Sequence, residues 1–256
     1  MTGRSRVGVA LVAGLLGFAA QAAAQIPGMP LFTNPRYGTG LRVHADIGQP
    51  KDAGTTIGDQ TVAQVGASLA LGPIGVNANV GTNFNRARDI GAGGSYDLSD
   101  SFTGSALAQL RVAGGGRNNL SLSVFGGASM EVTGAQVALG TQDIAYPKFA
   151  SFPVGAALGL RIPLGLTSLN VWGAGRYVFS KYVNCPATDP SFGGFTLTGL
   201  STMCDDTAKD MRWAVGADLP ILGILSIRAA YDSGKIEDVT VNFWGIGASI
   251  GIGGMR

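Results

Sequence analysis

The chain has 256 residues, of which 46% are hydrophobic and only 13% charged, with 41 glycines and a net charge of +2. A soluble domain usually carries about 25% charged residues, so this chain is short of the charge that keeps a surface wet. No internal run approaches the roughly 18 to 20 apolar residues of a membrane-spanning helix, and the small net charge, without aromatic–basic interleaving, argues against nucleic acid.

What remains is a glycine-rich all-β soluble protein or a transmembrane barrel. In chain order, MTGRSRVG first supplies Arg4 and Arg6, then VALVAGLLGFAA forms a short apolar core, and QAAAQ offers an Ala-x-Ala cleavage site at 22–24. This pattern predicts a secretory signal peptide over 1–24 and a mature chain from Gln25. Residues 25–37 contain QIPGMPLFTNPRY, whose three prolines predict an irregular lead-in. Residues 38–256 are expected to form a single domain.

From residue 38 onward, segments with a period of two recur. In IGVNANVGTNFNR, Ile74, Val76, Ala78, Val80, Thr82 and Phe84 alternate with glycine and asparagine, so one face of a strand is apolar and the other is amide and glycine. The same alternation predicts ten strands with apolar faces over 39–47, 63–71, 74–84, 102–112, 120–130, 152–162, 169–179, 211–219, 225–231 and 244–252. Short connections (72–75, 114–119, 163–165, 220–223) alternate with long polar ones (48–60, 85–101, 131–150, 180–210, 232–239). That alternation fits an up-and-down barrel with short turns at one rim and long loops at the other. Counts of eight or twelve strands stay open, because 90–98 and 131–139 could pair.

Two further regularities point to lipid. Phe84, Phe102, Phe152, Tyr177, Phe179, Trp213, Tyr231 and Trp244 all fall at the long-loop ends of their strands, as a belt at a lipid–water interface would. All five lysines (Lys51, Lys148, Lys181, Lys209, Lys235) lie in the long loops. The opposite faces carry Arg42, Arg111, Arg161, Arg176, Arg212, Arg228, Asp218, Asn77 and Asn79, residue types that satisfy one another in a confined, hydrated lumen. Lipid forbids open sheet edges, so the strands must close on themselves.

On the signal peptide, the ten alternating strands, the P-[IL]-G short turns and the aromatic belt, the chain resembles the small outer-membrane β-barrel proteins of Gram-negative bacteria. The resemblance covers residues 38–252. It implies an all-β antiparallel barrel in outer-membrane lipid, inserted by the barrel-assembly machinery. Members usually end in a strand with a final aromatic residue, whereas here the end is GIGASIGIGGMR.

The residues then suggest three functional readings. Inward charges pairing across a small barrel would make it a closed structural or surface-interaction protein. Surplus inward arginines would instead favour anions in a narrow, weakly selective, porin-like channel. His44, the one histidine, lies two residues from Asp46 on the same face, which would suit a barrel-embedded hydrolase, but no dedicated nucleophile accompanies them. Cys185 and Cys204, in an oxidising compartment and far from any histidine, are expected to form a disulfide. Asp205, Asp206 and Asp210 match no dedicated calcium loop, and no metal or cofactor is expected. The sequence names no extracellular partner.

Overall fold

A computed structural model describes residues 29–35, 39–51, 61–84, 86–89, 95–115, 118–133, 136–139, 142–145, 147–192, 195–196, 199–221, 224–236 and 239–252. The expected signal peptide, 1–24, and the last four residues lie outside them. Strand β1 (Gly40–Lys51) is followed by β2 (Thr61–Leu71) and β3 (Ile74–Phe84). Next come the short β4 (Arg86–Asp89) and β5 (Ser95–Leu98), then β6 (Ser101–Gly114), β7 (Leu120–Thr133), β8 (Gln136–Leu139) and β9 (Gln142–Ala145). The chain continues through β10 (Lys148–Leu164), β11 (Thr167–Val183), β12 (Ser191–Phe192) and β13 (Phe195–Thr196), and ends with β14 (Thr207–Ile221), β15 (Leu225–Ile236) and β16 (Val239–Ile252).

Ten of these strands close an antiparallel barrel in the order β1-β2-β3-β6-β7-β10-β11-β14-β15-β16, with β16 pairing back onto β1. Closure leaves no edge, as an apolar surround requires. The ten barrel strands agree with the sequence alternation. The segments that kept the count open do pair, through Leu98 and Val137, but in a separate four-stranded sheet (β4-β5-β8-β9) beyond the long-loop ends. Strand ends differ from expectation. The 232–239 connection is largely ladder, running to Ile236 opposite Val239, because backbone pairing continues past the point where the apolar alternation stops.

The barrel is apolar outside and polar within. Val65, Val80 and Met211 are 55%, 62% and 67% exposed, whereas His44, Asp232 and Arg176 are buried. The outward band of large apolar side chains runs around every barrel strand, far beyond the few hundred Å² that a soluble monomer exposes. An eleven-residue strand such as β3, rising about 3.3 Å per residue and tilted by about 45°, spans roughly 25 Å, the height of a barrel's lipid-facing band. Lipid is therefore the solvent of the outer face.

Candidate functional site

The lumen is filled in layers. Near the short-turn end, the Asp218 Oδ2 accepts from Trp172 Nε1 at 3.0 Å. Above it, Arg228 Nε donates to Asp46 Oδ1 at 2.6 Å, and Gln64 Nε2 donates to Asp46 Oδ2 at 2.8 Å. Asn79 Nδ2 donates to Ser105 Oγ (2.9 Å), so Asn79 Oδ1 is the acceptor for His44 Nε2 at 2.6 Å. Higher still, Asp232 pairs with both Arg176 and Arg212, and Arg212 lies over the Phe243 ring. At the long-loop end, Glu131 accepts from Ser101 Oγ and from the Phe149 N–H. Buried charges in a low-dielectric interior persist only when paired and hydrogen-bonded in this way.

Glycines on the inner face make room for these side chains. A Cβ at Gly66 would lie 2.2 Å from Asn79 Oδ1 and 2.5 Å from His44 Nε2, and one at Gly216 would lie 2.3 Å from Trp172 Cζ2.

The space that remains is occupied by the chain's own residues 29–35. Leu31 sits in an apolar cluster with Leu107, Phe125, Ala157, Trp172, Ala174, Ala214 and Ala230. Met29 packs on Val62, and Phe32 packs against both groups and beneath the Arg228 guanidinium, 4.4 Å from the ring centre. The Leu31 N–H donates to Asp232 Oδ2 at 3.2 Å, and Asn34 Nδ2 donates to Asp218 Oδ2 at 2.9 Å. Met29, Leu31 and Thr33 are all buried.

The segment has a direction. Asn34 is held by Asp218, three residues from the short-turn end of β14, whereas Met29 rests on Val62, one residue from the long-loop end of β2. It enters at the short-turn rim and climbs the lumen. Phe125 and Trp172 are inward-facing aromatics of β7 and β11. They form the walls of a hole that Leu31 fills.

The predicted site residues fall as follows. Arg42, Asn77, Asn79, Arg176, Arg212, Arg228 and Asp218 are on the inner face, while Arg161 is exposed at the short-turn rim and Arg111 donates there to the Gly72 carbonyl at 2.9 Å. Arg42, His44 and Asn77 border a cavity of about 80 Å³ beside Asn34. His44 and Asp46 have different partners, Asn79 for one and Arg228 with Gln64 for the other. Phe102, Phe152, Tyr177, Phe179, Trp213 and Trp244 are exposed on the outer face, Phe84 and Tyr231 partly so. Trp213 and Tyr231 touch, with ring centres 5.6 Å apart.

At the long-loop rim, Cys185 and Cys204 form a disulfide. Within that loop the Asp189 carboxylate accepts from the N–H groups of Ser201 (2.8 Å) and Gly199 (2.7 Å), which together hold its pKa below the ordinary carboxylate value. A recess of about 450 Å³ lies beside it, lined by Phe149, Tyr182, Ser180, Thr202, Met203 and Asp206.

A closed ten-stranded barrel with an apolar outer band and a paired, hydrogen-bonded lumen defines the class: this is a transmembrane β-barrel. No family model and no curated protein matches the chain. Among solved structures it is similar to the translocator domain of autotransporter NalP from Neisseria meningitidis, at 13% identity and a TM-score of 0.44, covering 97% of this chain and 98% of that one. It is also similar to the β domain of the Bordetella autotransporter BrkA, at 10% identity and a TM-score of 0.45, covering 84% and 100%. Neisserial surface protein A is similar at 10% identity and a TM-score of 0.40, covering 84% and 99%. Such likenesses concern barrel architecture and not activity.

Proposed function

We propose that this protein is a closed barrel of the bacterial outer membrane with a structural or surface-interaction role. The single observation that carries this reading is the filled lumen: residues 29–35 occupy the space that a solute would need. In an outer membrane the short turns face the periplasm and the long loops face outward. The outward rim then carries the disulfide-tied loop, the four-stranded β4-β5-β8-β9 sheet and the recess beside Tyr182, surfaces suited to contact rather than transport. The signal-peptide pattern supports export, and insertion would use the barrel-assembly machinery. Nothing about His44 supports catalysis, since its ring is bonded to an amide and Asp46 is engaged by arginine. We read the barrel as non-enzymatic.

The test is planar-bilayer recording on the full-length mature chain. The closed reading predicts no step conductance. Regular anion-selective steps would support the second reading, a narrow channel, which the inward arginines Arg42 and Arg228 beside the small cavity favour.

A further inference from the structure

We propose that the lumen is a peptide-binding site for an extended, proline-bracketed chain, and that residues 29–35 are its built-in ligand. This rests on the closed-lumen reading and adds that the site is separable from its tether.

The lumen recognises the segment as a chain, and not only as apolar bulk. Asp232, itself buried and held by Arg176 and Arg212, uses Oδ2 to accept a main-chain N–H, that of Leu31. Asp218, held by Trp172, accepts from the Asn34 amide. Two inner-wall glycines are shaped to the two prolines: a Cβ at Gly159 would lie 2.6 Å from the Pro35 ring, and one at Gly245 would lie 2.8 Å from the Pro30 ring. Between them, Leu31 enters an apolar hole walled by Phe125, Trp172 and small alanines.

The ligand's own chemistry fits the same requirement. An extended chain inside a barrel pairs with no strand, so each backbone N–H needs a partner. Proline has no N–H and favours extended backbone. In MPLFTNP, two of seven residues therefore bring no donor into the lumen. Because the segment belongs to neither a strand nor a helix and is held only by non-covalent contacts, the site would accept the same chemistry in trans, entering from the short-turn rim. A tether raises the local concentration of the resident segment to about the millimolar range, so occupancy in cis is the resting state.

The test uses the full mature chain carrying Leu31→Asp and Asn34→Ala, which weaken the resident segment and leave the wall intact. A fluorescein-labelled peptide of sequence MPLFTNP is titrated against it in detergent, with folding checked by heat-modifiable gel mobility. The expected result is saturable binding, at least tenfold weaker for the peptide carrying the Leu→Asp change and for a barrel that also carries Gly159→Val. No saturable binding to the folded barrel, or equal binding of both peptides, would overturn the proposal. Should that chain fail to fold, the wild-type chain is refolded from urea with labelled peptide in excess over the tether's effective concentration. Retention of the peptide in the folded barrel, competed by unlabelled MPLFTNP but not by a scrambled heptamer, is then expected, and its absence overturns the site. A barrel that conducts yet binds the peptide would sink the closed-lumen function and leave the site standing.

Discussion

The main-chain N–H of Leu31 donates to the carboxylate of Asp232, a residue 201 positions further along the chain, and that carboxylate is fully buried between Arg176 and Arg212. One side chain thus links the segment inside the barrel to the charge network of its wall. Asp232→Ala removes the acid that Arg176 and Arg212 share among the described residues, and with it the pairing that both buried guanidiniums draw on. Breaking a buried pair of this kind costs about 3 to 5 kcal/mol. We expect a clear drop in the urea midpoint for barrel unfolding in lipid vesicles, while Asp100→Ala, on an exposed loop residue, leaves it unchanged.

Gly66→Ala tests the packing of the middle layer. The added methyl would meet Asn79 Oδ1 at 2.2 Å and the Ala78 carbonyl oxygen at 2.5 Å, and the second is backbone that cannot swing away. Overpacking of this sort destabilises by about 1 to 3 kcal/mol. The expected outcome is a lowered unfolding midpoint together with loss of the His44–Asn79 hydrogen bond, visible as a shift of the His44 ring signals in solution NMR of the detergent-solubilised barrel.

Strands and barrel closure were legible in the sequence because lipid on one side imposes a strict alternation, seen from Leu41 to Ile47 on β1 and from Ile74 to Phe84 on β3. Strand ends were less legible. Beyond Tyr231 and Trp244 the ladder continues to Ile236 and Val239 on backbone bonds, which leave no side-chain period to read. The filled lumen was not legible in the segment that fills it. Three prolines marked 25–37 as irregular, and no local pattern links Leu31 to Asp232 or Asn34 to Asp218. A signal existed in the wall: Ala157, Ala174, Ala214, Ala230, Gly159 and Gly245 are small inward residues that two aromatics, Phe125 and Trp172, could not cover alone.

The outward loop should depend on its disulfide more than the barrel does. Closing a loop of about twenty residues contributes about 3 kcal/mol on the chain-entropy model, and the loop between Cys185 and Cys204 lies between β11 and β14 at the rim. Replacing both cysteines by serine should speed protease cleavage within 185–204 many-fold. The same change should leave the heat-modifiable mobility of the barrel intact.

The same loop carries a pH dependence. Its Asp189 carboxylate is held below its ordinary value by the N–H groups of Ser201 and Gly199. A depressed folded pKa means that the contribution to loop order is present above the ordinary carboxylate pKa and is lost as pH falls through the lower, folded value. Amide signals of Gly199 and Ser201 should therefore stay fixed from neutral pH down past the ordinary carboxylate range and move only in stronger acid. Asp189→Asn should abolish that late transition.

The central claim, a barrel whose lumen is occupied by its own residues 29–35, is tested most directly by joining Asn34 to Asp218, whose side chains meet at 2.9 Å. In a chain with Cys185 and Cys204 replaced by serine, Asn34→Cys and Asp218→Cys are combined, and the folded protein in lipid vesicles is treated with a short thiol–thiol crosslinker. The account predicts near-complete intramolecular crosslinking, seen as a compact species on denaturing gels, with neither thiol open to a bulky maleimide beforehand. Two freely labelled thiols and no crosslink in a folded barrel would contradict it.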